Sequence, residues 1–217
     1  MRESNGRAKV LGPGADLDFT LYKAINGFAY GHDRFEDVLR FFALDAQFFF
    51  VALLAVLFLA RGRWTSRNAR HGVIAAGLAA ALALAIAHGI TLVWPRPRPY
   101  IAHPGDAHLF IAPSGDSSFP SDHATAAFAI AVSLVLRSRR VGGLALAMAV
   151  VLAIARVAVG THYPSDVVGG ALLGTAAALL LWLPPIRSRL HLLADWAGAL
   201  YERIANWALR LPSRAPG

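Results

Sequence analysis

The sequence contains no cysteine. Disulfides, thiol nucleophiles, thiolate zinc sites and iron–sulfur ligation are thereby excluded together. Charge is scarce as well: Asp, Glu, Lys and Arg make up 16% of the 217 residues, against 56% hydrophobic. A chain so poor in charge is expected to be solvated largely by lipid, and its mean hydropathy of +0.49 agrees. Acidic side chains are the rarer sign, 13 against 21 basic, for a net charge of +8. The arginines fall in short clusters between apolar runs and form no continuous basic stripe, so they read as topology signals and exclude a nucleic-acid partner. The first forty residues lack the apolar stretch of a cleavable signal peptide. Tandem repeats and low-complexity tracts are also absent.

What is present is a succession of apolar runs: Phe41–Ala60, His71–Trp94, Ser121–Leu136, Val141–Val159 and Asp166–Leu183. Twenty residues at about 1.5 Å each reach about 30 Å, the hydrocarbon thickness. The pattern predicts an all-α fold, a multi-pass transmembrane helix bundle of about five spanning helices partnered by the lipid bilayer. One membrane domain over 1–217 suffices, with a surface segment at 1–40, a transmembrane core at 41–183 and an interfacial helix at 187–211. Leu17, Leu21, Ile25 and Phe28 fall at helical spacing near the start, as expected of a helix at the membrane surface or of one packed on the core. Trp196, Leu200, Ile204 and Trp207 do the same near the end, with Arg187, Arg189, Arg203 and Arg210 close by. Asp45 and Gln47 are expected at an interface or against other helices. Gly170 and Gly174 offer a small-xxx-small packing face.

Arg61, Arg63, Arg67 and Arg70 separate the first two runs, and Arg137, Arg139 and Arg140 the third and fourth. By the positive-inside rule these loops are cytoplasmic. The 95–120 loop and the 160–165 turn then share the opposite, extracytoplasmic face, and the remaining polar residues concentrate there.

Three clusters occupy that face. In Trp94-Pro95-Arg96-Pro97-Arg98-Pro99-Tyr100 the prolines stop the helix and hold two guanidinium groups in a stiff extended segment, suited to an oxyanion. In Ser117-Ser118-Phe119-Pro120-Ser121-Asp122-His123 the serine at 121 is a natural N-cap. The backbone N–H groups of Asp122 and His123 are then among the unpaired donors at the positive end of a helix. In Arg156-Val157-Ala158-Val159-Gly160-Thr161-His162-Tyr163-Pro164-Ser165-Asp166 a charge sits near the end of an apolar run, where something negative should meet it. His162 and Asp166 are four apart, a separation that lets a carboxylate bond one imidazole nitrogen and leave the other basic. Each cluster has a structural reading by itself: a loop with snorkelling arginines, a capped helix, and an Arg156–Asp166 ion pair. Together they supply what phosphoryl transfer needs. His88, His103 and His108 are expected in helix packing or in solvent, and the 101–118 loop to cover the site or select the head group.

These residues resemble the type 2 phosphatidic acid phosphatase superfamily, whose motifs are Lys-x6-Arg-Pro, Pro-Ser-Gly-His and Ser-Arg-x5-His-x3-Asp. The matches are Arg98-Pro99, Pro120-Ser121-Asp122-His123 and Arg156-x5-His162-x3-Asp166. Thr91 stands where the first motif has lysine, Asp122 where the second has glycine and Ala155 where the third has serine. The Phe-Pro-Ser-Asp-His string, the missing lysine and the aromatic residue after Arg98-Pro99 resemble the bacterial undecaprenyl-diphosphatase branch.

The resemblance implies a membrane lipid substrate and needs neither cofactor nor metal. It makes His162 the nucleophile, Asp166 its orienter and His123 the proton shuttle. Arg98, Arg156, Ser121 and the Asp122 amide become phosphate ligands, with Arg96 a candidate substitute for the absent lysine. A phosphatidate or phosphatidylglycerophosphate phosphatase would use the same residues. An anionic-lipid transporter would place its charges nearer mid-membrane.

Overall fold

The computed structural model describes residues 13–60 and 67–210. Arg61 and Arg63 of the first basic loop lie outside them. The regular secondary structure of the described residues is all helical, with no strand among them. In chain order the helices are α1 (Pro13–Tyr30), α2 (Asp33–Leu44), α3 (Ala46–Leu59), α4 (Arg67–Val93), α5 (Pro99–Ala102), α6 (Asp122–Val135), α7 (Arg139–Ala158), α8 (Pro164–Trp182) and α9 (Pro184–Arg210).

Among the described residues three helices are long and apolar enough to cross a membrane: Ala69–Val93, Arg139–Ala158 and Pro164–Trp182. The first expected span is instead a pair, α2 and α3, bent by 47° at Asp45, and it makes a fourth crossing only if the pair is counted as one. The helical ladder breaks there, and the Ala43 carbonyl accepts a hydrogen bond from Arg156 Nη1 at 3.2 Å. The bend thus supplies an acceptor to a guanidinium buried in the bundle. The run at 121–136 forms α6, whose 14 residues rise about 21 Å and fall short of a full span. Against the expected five or so spans, the described residues therefore hold three helices able to cross, or four with the bent pair counted as one, because α6 is too short.

α6 is the hub, packed on α4, α7 and α8. Its approach to α8 depends on missing side chains. A Cβ at Gly174 would stand 2.2 Å from the Thr125 carbonyl oxygen, and one at Gly170 2.7 Å from that of Ser121. The small-xxx-small pair is therefore the contact that seats the N-terminus of α6 beside that of α8. Gly174→Ala is expected to lower thermal stability in detergent by about 1–3 kcal/mol, since backbone must move. An unchanged melting temperature would contradict the close approach.

α1 does not bury its apolar stripe. Leu17, Leu21 and Phe28 are exposed, whereas Asp18, Tyr22, Asn26 and Ala29 are buried. Polar partners decide this orientation. Asn26 Nδ2 donates to the carbonyls of His108 and Ala158, each at 2.8 Å, and its Oδ1 accepts from the His108 N–H at 2.9 Å. Lys23 pairs with Asp106 at 2.8 Å. His103 stacks on Phe19 and His108 on Tyr30, so the outer loop is pinned to α1. The apolar side of α1 is left open.

α9 behaves alike at the opposite end of the bundle. Trp196, Leu200, Ile204 and Trp207 are exposed. Its polar edge docks on α4 through Arg70–Glu202 at 2.6 Å and His71–Asp195 at 2.8 Å. Arg137 stacks on Trp182 and bonds His191 there.

Candidate active site

The C-terminal ends of α4 and α7 and the N-terminal ends of α6 and α8 meet at one end of the bundle. All three sequence clusters therefore converge. They line a cavity of 450 Å³ whose walls include Arg98, Asp122, His123, Arg156 and His162. Of the phosphate ligands expected from sequence, Arg98 and Arg156 are buried at its floor.

His162 sits in the turn before α8 and is buried. Its Nδ1 lies 2.9 Å from the Ser118 carbonyl oxygen. A carbonyl only accepts, so Nδ1 carries the proton and Nε2 presents a lone pair. That lone pair faces two guanidinium groups, Arg156 Nη2 at 3.4 Å and Arg98 Nη1 at 3.5 Å. Burial above all lowers the imidazole pKa to about 4; Asp166 opposes the shift, while Arg156 and Arg98 add to it. At neutral pH the ring is uncharged and lies between two cations.

Arg98 is held by the carbonyls of Asp116 and Thr161, at 3.1 and 3.3 Å. Arg156 Nε is buried with no partner among the described residues. Gly160 allows the turn between Arg156 and His162, with φ of +89°. A Cβ there would meet the His108 carbonyl oxygen at 2.2 Å. The chain can therefore reverse tightly enough for Arg156 to share one imidazole with its neighbour six residues on.

Asp166 differs from the simple expectation. Its Oδ2 is 3.7 Å from His162 Nδ1, beyond hydrogen-bonding reach. It accepts instead from the Tyr163 N–H at 2.7 Å, capping α8, and from the Ser118 hydroxyl in a short bond. Ser118 thus links the two, its hydroxyl on Asp166 and its carbonyl on the His162 ring. Sequence reasoning missed Ser118 as a member of the site. Its only signal was its position three residues before the N-cap serine.

Arg96 also departs from expectation. Its Nη1 bonds Asp166 Oδ1 at 2.6 Å and the Ser165 hydroxyl at 2.7 Å, and its Nη2 bonds Asp18 Oδ2 at 2.7 Å. The group lies over the Tyr163 ring, 4.0 Å from its centroid. Two carboxylates and a hydroxyl engage it behind the cavity, so Arg96 is not a spare cation for phosphate. Residues two apart in an extended segment would share a face; the two diverge by their partners, Arg96 meeting Asp18, Ser165 and Asp166 and Arg98 the carbonyls of Asp116 and Thr161.

Ser121 caps α6, accepting weakly from the Ala124 N–H at 3.5 Å. The side chain of His123, the second residue of α6, makes no hydrogen bond among the described residues. It lines the polar cavity and also a second, apolar cavity of 240 Å³ bordered by Gln47, Phe50, Leu84, Ala126, Ile130 and Leu152. His88 and Thr91, the latter where the family motif has lysine, line the polar cavity as well. His88 thus stands at the site rather than in helix packing. A single histidine in an apolar run carried no signal that its face was the inner one.

Comparison with known proteins agrees with this geometry. The sequence profile described as "PAP2 superfamily" matches residues 72–188, more than half of the chain. The chain belongs to the PAP2 superfamily. The matched segment covers every side chain around the polar cavity and omits α1. Undecaprenyl-diphosphatase BcrC of Bacillus subtilis is 29% identical over 197 residues, which is 91% of this chain and 98% of that protein. Putative undecaprenyl-diphosphatase YbjG of Escherichia coli is 29% identical over 88% of this chain and 90% of that one. Among solved structures, Aquifex aeolicus LpxE superposes with a TM-score of 0.64 at 26% identity, covering 76% of this chain and 93% of that one. This PAP2 protein is accordingly a multi-pass membrane enzyme, a phosphatase acting on lipid phosphate.

Proposed function

We propose that this PAP2 protein hydrolyses a polyprenyl diphosphate, undecaprenyl diphosphate by likeness to its relatives, to the monophosphate through a phosphohistidine. The observation that carries the reading is the position of His123 on the boundary between a cationic cavity and an apolar one. A lipid phosphate has its scissile bond at that boundary. The terminal phosphoryl group sits among Arg98, Arg156 and the α6 amides, and the hydrocarbon chain follows the apolar groove into the membrane.

His162 Nε2 attacks the terminal phosphorus, and the bond to the bridging oxygen breaks. His123 protonates that oxygen as it leaves, then takes a proton from the water that hydrolyses the phosphohistidine. Arg98 and Arg156 gather the charge on the equatorial oxygens, and both already point at the nucleophile. Proton transfer on the lipid side suits a leaving group that stays in the bilayer as prenyl phosphate. The apolar groove is a single pocket of 240 Å³, a size that favours one prenyl chain over the paired chains of a glycerolipid.

Release of inorganic phosphate from prenyl diphosphate, phosphatidate and phosphatidylglycerophosphate in detergent tests the reading. Prenyl diphosphate is the expected preferred substrate. Preference for either glycerolipid would replace it by the runner-up. Ala126→Trp, which fills the groove, is expected to lower kcat/KM for a long prenyl diphosphate by about tenfold or more while sparing a short-chain analogue. Equal losses would remove the groove from the substrate path.

The arginine clusters opposite the site support an extracytoplasmic position for it. A cysteine at the exposed Ala112 is expected to react with an impermeant thiol reagent on intact cells, and one at Arg140 only after lysis. The reverse result would invert the protein.

A further inference from the structure

α1 lies outside the segment matched by the family, yet one of its side chains reaches the core of the site. Asp18 is 9% exposed. Its Oδ1 accepts from the Ser165 N–H at 2.9 Å, and its Oδ2 from the Ser165 hydroxyl at 2.5 Å and Arg96 Nη2 at 2.7 Å. Arg96 passes the contact to Asp166 Oδ1, leaving Oδ2 for the Ser118 hydroxyl and the Tyr163 N–H. Ser118 carries the carbonyl that holds His162. We propose that Asp18 and Arg96 form a charge-balanced clamp, contributed by the N-terminal helix, that positions Asp166 and through Ser118 the His162 imidazole. Neither residue lines the cavity; both are positioning residues.

Charge and geometry support the clamp independently. Asp166 is wholly buried, and a buried carboxylate needs a cation or several donors to stay ionised. Arg96 supplies the cation from one side. Burial works against the charge on Arg96, but Asp166 and Asp18 outweigh it and raise the guanidinium's pKa. One cation between two carboxylates leaves the triad with a single negative charge, facing an imidazole that already has Arg98 and Arg156 on its other side. The geometry is equally specific: Asp18 grips both the N–H and the hydroxyl of Ser165 in the first turn of α8, next to Asp166 in sequence. The remnant N-terminal donors of α8 are thereby partnered, and the helix carrying Asp166 is fixed to α1.

The clamp makes opposite predictions for its two members. Asp18→Asn removes a negative charge, so His162 protonates less readily; Arg96→Gln removes a positive one, so it protonates more readily. Both should shift the His162 midpoint by at least about half a unit. His88, Asp116, Asp122, His123, Arg98, Arg156 and Asp166 are the other titratable groups around the imidazole; neither variant replaces them, and Asp166 alone loses a partner, in Arg96→Gln, keeping the Ser118 hydroxyl and the Tyr163 N–H.

The role rests on the phosphatase reading for its catalytic consequence, so the experiment has two arms. The first follows the His162 imidazole by nitrogen-15 NMR in the purified full chain, assigned with His162→Gln. The second measures phosphate release from prenyl diphosphate. The midpoint is expected to fall in Asp18→Asn, rise in Arg96→Gln and return towards the parent in the double variant. In each single variant kcat should fall about tenfold with KM within about twofold, because the nucleophile is misplaced while the phosphate ligands are untouched.

Shifts of the same sign, or none, overturn the clamp. A variant that does not stay monodisperse is replaced by Asp18→Glu or Arg96→Lys, which keep the charges and alter the reach. There kcat should fall about threefold with the midpoint unmoved, and an unchanged kcat overturns the clamp. If the parent releases no phosphate from any lipid, the phosphatase reading falls, while the imidazole titration still decides the clamp.

Discussion

Replacing His162 by alanine is expected to abolish phosphate release, by about 10⁴-fold or more, without unfolding the protein. The magnitude follows from the chemistry: without the imidazole no covalent intermediate forms, and water would have to attack a phosphoryl group that the site holds for a different nucleophile. Folding survives because the ring donates a single hydrogen bond, to the Ser118 carbonyl, and losing it costs about 1 kcal/mol. Arg98 retains two backbone carbonyls and Arg156 the Ala43 carbonyl. The measurement is phosphate release beside trapping of an acid-labile phosphoenzyme. The parent should show the intermediate and His162→Ala should not. Ordinary turnover by this variant would reject the assigned nucleophile.

The second large effect is expected at His123. His123→Ala should slow hydrolysis of a prenyl diphosphate by about 10²–10⁴-fold, the usual weight of a general acid. The loss should shrink for an aryl phosphate, whose leaving group departs without a proton. The phosphoenzyme should then persist, since the same imidazole activates the hydrolytic water. These signatures follow from the site: His123 forms no hydrogen bond whose loss would distort the surroundings, and it stands where the leaving oxygen meets the apolar groove. An equal loss for both substrates, with no lasting intermediate, would move the proton shuttle elsewhere. His88 would be the first alternative, since it lines the same cavity.

The two histidines illustrate how unevenly a membrane sequence displays its site. His162 was legible because Arg156, His162 and Asp166 are close in sequence and bracket a turn, so local spacing constrains what can meet. His123 was legible from the helix start that Ser121 announces. His88 was not, because an Ala- and Gly-rich span has no strong polar face from which to infer which side is inward. Asp18 was not legible either: its surroundings read as an amphipathic helix with an apolar stripe, and the buried side proved to be the polar one. Hydrophobic patterning assumes that apolar residues turn inward. For a helix on a membrane the opposite face can be buried, because lipid accepts the stripe and the bundle supplies hydrogen bonds.

The bend at Asp45 shows the same limit at the level of backbone. The run at 41–60 predicts a single span, whereas the helix breaks at Asp45 and the Ala43 carbonyl meets Arg156. The shortness of α6, by contrast, was already legible in its run, bounded by Pro120 and Arg137.

Composition and spacing alone determined that this chain is a helical membrane protein carrying the three motifs of a phosphatase, since lipid solvation and helix capping are properties of contiguous residues. Which guanidinium groups face the nucleophile and which stand behind it was decided only by the folded bundle. Arg96 and Arg98 are chemically identical neighbours in sequence, and their roles diverge because one meets the carboxylates of α1 and α8 while the other meets the open imidazole nitrogen of His162.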